Sequence, residues 1–350
     1  MIRFKKWREE AVFHNPLEGF RLIPIPLEIR QDPLTGYRSV INRFLINKQK
    51  LLFPDTDYDY LEEIGRRSEK RCFMCDGKWE KMTPYYPEDF LPERRISRGE
   101  ALLFPNLYPL SRFHAVVRLG KKHFRKLNEL SPDILADGLK LAREFLLSSY
   151  NKDPRYIYPT INANFMFPAG ASATHPHFQI MNFFIPSTYH GLLLECSKKY
   201  FEETGTCYFE ELVKVEKHSK RWIRDLGRGV WIAAYSPMGR NEVQVIWPSI
   251  QNISQLTEHD LEDLATGLSD LFAFSHEQKI STYNFSLFSG PLDRDTPYFS
   301  CIMKIVNRQN VVPHHRTDDY FFQKLLKNEL SALPPEELSR LIREFIERGV

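Results

Sequence analysis

The sequence predicts an α+β fold of two units in pseudo-repeat, each an antiparallel sheet with packed helices, and three observations carry that expectation. Between residues 101 and 184 the hydrophobic pattern reads strand, strand, helix, strand, strand. Between residues 230 and 305 the same order returns, a repeat unit of about 90 residues. The chain has 350 residues, 42% of them hydrophobic, enough to bury one large core or two ordinary ones. The expected units are 1–190 and 191–350, with the chemistry in the first.

The N-terminal segment carries one turn signal twice, Asn15-Pro-Leu-Glu-Gly19 and Asp32-Pro-Leu-Thr-Gly36. Asn or Asp before proline with a closing glycine favours a tight turn, and residues 22–25 and 40–41 read as strands after each. Residues 56–70 are charged and read as helix or loop, and 78–100 as a proline-rich connector. Residues 101–106 and 114–119 are expected strands. A helix follows from Ser131, a good N-cap with Pro132 at the first helical position, its apolar side carried by Leu135, Leu139, Ala142, Phe145 and Leu146. Strands at 160–164 and 175–184 complete the first unit. Residues 195–225 read as helical; strands at 230–235 and 241–247, a helix after Leu256 and strands at 283–288 and 298–305 form the second unit. Residues 334–350, with Leu338, Leu341, Ile342 and Phe345 on one side, form a C-terminal helix.

Composition narrows the function. Lys plus Arg number 48 against 45 for Asp plus Glu, a net charge of +3, so the chain lacks the basic field of a nucleic-acid protein. No apolar run approaches the roughly 20 residues a membrane span needs, and a cytoplasmic protein is expected. Five cysteines, an odd number in a long chain, argue against a disulfide scaffold.

Two motifs carry chemistry. Cys72-Phe-Met-Cys75 delivers two thiols at the spacing of half a tetrahedral zinc site, to be completed by histidines; His114, His123, His175 and His177 are available in the first unit. The stretch from Asn164 to Gln179 runs through small residues into His175-Pro-His-Phe-Gln179. In an extended strand His175, His177 and Gln179 share one face, an odd choice for a core strand. A histidine held by a metal would fix its neighbour, and a neutral imidazole with one nitrogen bonded to a carbonyl is a competent nucleophile toward phosphorus. Gln179 beside it can donate an amide N–H to a phosphoryl oxygen.

His175-Pro-His-x-Gln179, with Asn164 eleven residues and Gly170 five residues before its first histidine, resembles the signature of the galactose-1-phosphate uridylyltransferase family within the histidine triad superfamily. Asp32-Pro-Leu-Thr-Gly36, Cys72-x-x-Cys75, Phe104-Pro-Asn106 and His123 are similar too. The resemblance implies a histidine-triad-like fold for both units, the second degenerate. It implies Zn2+ on Cys72, Cys75, His123 and His175, with His114 the competing ligand. It further implies His177 as nucleophile, Gln179 on the phosphoryl group, and Asn106, Asn164, Gly170 and Ser172 as substrate contacts. The family reaction moves a nucleoside monophosphate from a nucleotide-sugar to a phosphorylated acceptor through a nucleotidyl-histidine. No nucleic acid or membrane partner is expected, and a homodimer is compatible with the resemblance.

The chain departs from the family in two places. A late His-x-His metal pair is replaced by Ile302-Met-Lys304, so the family's second metal site is expected to be absent, and the second unit has no histidine strand, so one active centre per chain is expected. The hexose-contacting run near the C-terminus has no counterpart in Tyr320-Phe-Phe-Gln-Lys-Leu-Leu326. An adenylyl donor, an ADP-sugar or a dinucleoside polyphosphate, phosphorolysed by inorganic phosphate, is therefore the alternative. A non-catalytic zinc-binding interaction protein is the reading from another class.

Overall fold

The chain opens with a hairpin that the hydrophobic pattern does not announce. β1 (Lys5–Asn15) pairs antiparallel with β2 (Arg21–Gln31), from Lys5 opposite Gln31 to Asn15 opposite Arg21. Nearly all of β1 is exposed, so no apolar alternation marks it. The first expected turn closes this hairpin and the second joins β2 to β3 (Arg38–Ile41). There the Asp32 Oδ1 accepts from the backbone N–H groups of Leu34 and Thr35 at 3.2 and 2.7 Å. β14 (Asn328–Ser331) adds to β3 in parallel, the one departure from antiparallel pairing among the described residues. The computed structural model describes residues 2–48, 52–314 and 316–349. His315 and Val350, the latter the end of the expected C-terminal segment, lie outside them.

The second sheet holds the body of the molecule. α1 (Tyr58–Glu69) and α2 (Trp79–Met82) precede β4 (Ile96–Arg98), β5 (Ala101–Pro105), β6 (Phe113–Arg118), α3 (Pro132–Lys152), β7 (Tyr158–Phe165) and β8 (His177–Phe183). After α4 (Thr188–Thr204) and α5 (Tyr208–Glu216) come β9 (Trp222–Leu226), β10 (Gly229–Ala233), β11 (Arg240–Ile246), α6 (Glu258–Glu277), β12 (Tyr283–Phe288) and β13 (Ile302–Asn307). α7 (Phe321–Lys324) and α8 (Pro335–Glu347) flank β14. The ten strands lie in the order β4-β5-β6-β8-β7-β12-β13-β11-β10-β9. That order reads the same way outward from the β7–β12 seam, and all its pairs are antiparallel. Both halves thus contribute to one α+β sheet, and the expected boundary at 190 falls within α4.

Three local expectations are corrected. The segment 195–225 ends in strand β9, because Trp222 to Leu226 pairs with β10. The connector 78–100 ends in strand β4, paired with β5. Strand β8 begins at His177, so His175 stands just before it; the chain is still tied to β6 there, since the Leu119 N–H donates to the Pro176 carbonyl at 2.9 Å. Ser131 occupies the N-cap of α3, but its side chain makes no capping hydrogen bond.

The two faces of the large sheet differ. Leu103, Val117, Phe178, Ile180, Ile161, Phe285, Met303 and Val245 are buried in one core with α3 and α6. Period two places their neighbours on the opposite face. A Cβ on Gly138 of α3 would lie 2.3 Å from Leu119, and one on Gly267 of α6 would lie 2.1 Å from Trp231, so each helix approaches its half of the sheet at a glycine. The opposite face carries His177, Gln179, Asn162, Asn164, Asn284 and Lys304, and the site lies there.

Candidate active site

The structure brings Cys72, Cys75, His123 and His175 together, their donor atoms all within 4.8 Å of one another. The Cys72 Sγ lies 3.7 Å from the His175 Nδ1, and the Cys75 Sγ lies 3.3 Å from the His123 Nδ1 and 3.9 Å from the His175 Nδ1. Zinc bonds of about 2.3 Å to sulfur and about 2.0 Å to nitrogen place tetrahedral donors roughly 3.5 Å apart, so the set fits that ion. The far sides of both rings agree. The His175 Nε2 donates to the Gly120 carbonyl at 3.0 Å, which leaves the Nδ1 lone pair facing the thiols. The Ser68 hydroxyl donates to the Gly65 carbonyl and accepts the His123 Nε2–H at 2.9 Å, with the same result. Burial pushes the His175 pKa down to about 3, keeping the ring neutral, while burial and the neighbouring Cys72 push the Cys75 thiol up to about 12. Arg118 of β6 bonds the Met74 carbonyl and the Asp76 carboxylate, both at 2.9 Å, and fastens the cysteine knuckle to the sheet.

Two residues on, the His177 Nδ1–H donates to the His175 carbonyl at 2.8 Å. Its Nε2 therefore carries the lone pair and has no hydrogen-bond partner among the described residues. Burial holds the pKa of this ring below the usual histidine value, partly offset by the carbonyl. Gln179, two residues further on the same face, accepts at its Oε1 from His114 at 2.8 Å and from Asn106 at 3.2 Å. His114 stands apart from the cysteine cluster, on β6.

The loop between β7 and β8 turns sharply. Met166 takes φ +66° and its carbonyl accepts from Ala169 and Ala171; Gly170 takes φ +89°. A Cβ on Gly170 would meet nothing closer than 4.0 Å, so the dihedral rather than space asks for glycine there. Gly170 and Ser172 are exposed on the loop, and Asn164 stands at its start. Asn284 of β12 donates to the Asn164 Oδ1 at 2.7 Å and to the Ala169 carbonyl at 2.8 Å, and Arg308 donates to the Asn284 Oδ1 at 2.7 Å. Neither Asn284 nor Arg308 was singled out from sequence. The alternation of Tyr283-Asn-Phe-Ser-Leu-Phe288, polar on one side, is the signal that places Asn284 and Ser286 on the site face.

A groove of about 800 Å³ lies elsewhere, between the hairpin and the C-terminal helix, lined by Arg8, Glu28, Arg30, Lys220 and Glu336. None of the residues above lines it. Among the described residues no helix is long and apolar enough to cross a membrane.

No family model matches the chain. An uncharacterised protein of Archaeoglobus fulgidus is 29% identical over 341 residues, covering 97% of this chain and 98% of that one. An ADP-glucose phosphorylase of Arabidopsis thaliana is 23% identical over 349 residues, covering 91% and 92%. The structure of an Arabidopsis thaliana ADP-glucose phosphorylase, solved with ADP-glucose bound, matches with a TM-score of 0.70 at 20% identity over 91% of this chain and 98% of that chain. A uridylyltransferase structure matches with a TM-score of 0.65 at 21% identity, over 92% and 99%. The resemblance to the galactose-1-phosphate uridylyltransferase family therefore holds at the level of the whole fold, which this chain shares with those proteins.

Proposed function

We propose that the chain is a nucleotidyltransferase in which His177 attacks the α-phosphorus of a nucleoside diphosphate sugar. The observation that carries this is the pinned ring: the His177 Nδ1–H is held by the His175 carbonyl at 2.8 Å, so the Nε2 lone pair is the free end. The Nε2–P bond forms as the bond from the α-phosphorus to the bridging oxygen breaks, and a sugar 1-phosphate leaves. An oxygen of a phosphorylated acceptor then attacks the same phosphorus, the N–P bond breaks, and the imidazole is restored. Gln179 donates an N–H to a non-bridging oxygen as charge develops. Asn106, Asn164, Gly170 and Ser172 surround the path of the phosphates. Zinc on Cys72, Cys75, His123 and His175 would serve structurally, holding the His175 backbone whose carbonyl orients His177.

A second reading keeps the nucleophile but uses an adenylyl donor with inorganic phosphate as acceptor. Two observations favour it: the near full-length similarity to an ADP-glucose phosphorylase, and the absence of the hexose-contacting run at 320–326. One experiment addresses both. The protein is mixed with donor labelled in the α-phosphate, UDP-glucose or ADP-glucose, and acid-labile label on the chain is measured. Transfer should be lost by at least about 10³-fold in His177→Ala. Label from ADP-glucose alone selects the second reading, and labelling that survives His177→Ala refutes both.

A further inference from the structure

We propose that His114, together with Asn106, is a positioning residue that decides which end of the Gln179 amide faces the reacting phosphoryl group. Its catalytic consequence rests on the proposed nucleotidyl transfer; the arrangement itself does not. A glutamine amide has a donor end and an acceptor end of nearly equal shape, and only the N–H end can stabilise charge on a phosphoryl oxygen. A flipped amide would present its carbonyl to that oxygen and repel it.

Two hydrogen-bond chains, which also meet where the Asn106 Nδ2 lies 3.2 Å from the His114 Nε2, remove the choice, and each starts at a backbone N–H, which can only donate. In the first, the Leu110 N–H donates to the His114 Nδ1 at 3.0 Å. That nitrogen therefore carries the lone pair, and in a neutral imidazole the proton is on Nε2. The Nε2–H then donates to the Gln179 Oε1 at 2.8 Å. Burial lowers the His114 pKa, outweighing the bond to Gln179 and disfavouring the doubly protonated ring. In the second chain the Tyr108 N–H donates to the Asn106 Oδ1 at 2.8 Å, which turns the Asn106 amide nitrogen toward the Gln179 Oε1 at 3.2 Å. The Asn106 N–H also donates to the His114 carbonyl at 2.9 Å, so both chains rest on the β5–β6 loop and the start of β6. With two donors on Oε1, the Gln179 N–H2 end is the one left to face substrate. A flip would put that end against both donors and leave them unpaired.

The test uses the full-length, metal-loaded protein and the donor that labels the wild type. His114→Ala should slow labelling of His177 by about 10–100-fold, the low end of what loss of one oxyanion donor costs, while donor affinity changes by less than about threefold. His114→Gln, whose amide N–H reaches the place of Nε2, should recover most of the rate. In a Gln179→Ala background His114→Ala should cost nothing further, since it acts only through Gln179. Labelling by His114→Ala within about twofold of wild type, or an equal loss in the Gln179→Ala background, overturns the proposal. Should the alanine variant fail to fold, Asn106→Asp replaces it: a carboxylate cannot donate to Oε1, and the same slowing is expected. Nitrogen-15 NMR of the wild type should find His114 protonated on Nε2. Protonation on Nδ1 overturns the arrangement whatever the activity, whereas a wild type that no donor labels refutes only the transfer reading.

Discussion

The two halves of the large sheet place different chemistry at matching positions. Across the β7–β12 seam Asn162 faces Ser286; Asn162 pairs onward with Gln179, and Ser286 with Lys304. Gln179 pairs in turn with Val116, and Lys304 with Gln244. His114, two residues before Val116, thus answers to Glu242, and His177 answers to Ile302. In the first half His114 and Gln179 form a neutral hydrogen bond beside an imidazole whose Nε2 is free. In the second half Lys304 bonds the fully buried Glu242 at 2.9 Å, and Gln244 donates to the same carboxylate at 2.8 Å. Burial disfavours the ammonium, but the Glu242 charge outweighs it and holds the Lys304 pKa above its ordinary value. Matching positions thus hold a neutral pair beside an open lone pair in one half and a buried ion pair beside Ile302 in the other. Ile302 at the position of His177 is only part of the difference, because the positions of His114 and Gln179 are taken by the charged pair.

The sharpest way to break this comparison is at the candidate metal-binding set, which has no counterpart in the second half among the described residues. Chelation, or Cys72→Ser, should lower the melting temperature by on the order of 10 °C, with faster hydrogen exchange first around residues 64–76 and 119–125. A uniform loss across both halves would show that the ligands do not stabilise the first half in particular. Next in size is the ion pair. Glu242→Leu strands a buried ammonium and should cost about 3–5 kcal/mol in urea unfolding, while Glu242→Leu with Lys304→Met should recover most of it. A double variant as unstable as the single one would mean that the pair contributes more than mutual neutralisation. The smallest effect concerns the seat of the hairpin. Burial would raise the Glu336 pKa, but Arg30 outweighs it, with help from Arg221, and brings it from 4.5 to about 2. The folded form thus binds this proton less readily than the unfolded chain. Its contribution is complete above pH 4.5 and fades as the pH falls toward 2, and Glu336→Gln should remove on the order of 1 kcal/mol at neutral pH and flatten that part of the acid limb.

How much was legible depended on whether local pattern carried the information. Strands β5 to β8 and β10 to β13 announce themselves by short apolar runs or apolar alternation between turn residues, and α3 and α6 by helical period. β1, β4, β9 and β14 do not, because most of their residues are partly or wholly exposed and only pairing with a neighbour makes them strands. Within the site, the spacing of Cys72 and Cys75 and the His175-Pro-His-Phe-Gln179 run are contiguous and can be read directly. His123 against His114 as fourth donor is a question of distance across β6 and the loop after it, which no spacing answers.

By itself the sequence determined an α+β chain with a two-cysteine knuckle, and it offered a candidate nucleophile in His177 and a candidate amide donor in Gln179, since those follow from residue type and period. Tertiary structure alone decided that both halves share one sheet, and it bears out His123, the ligand that the family resemblance implied, over His114 beside the cysteines. It also decided that His114 is free to hold Gln179, with Asn284 and Arg308 bracing the loop from the other half. Those facts depend on which strands lie side by side, and strand order is set by long-range pairing and the burial of a common core, not by any local run of residues.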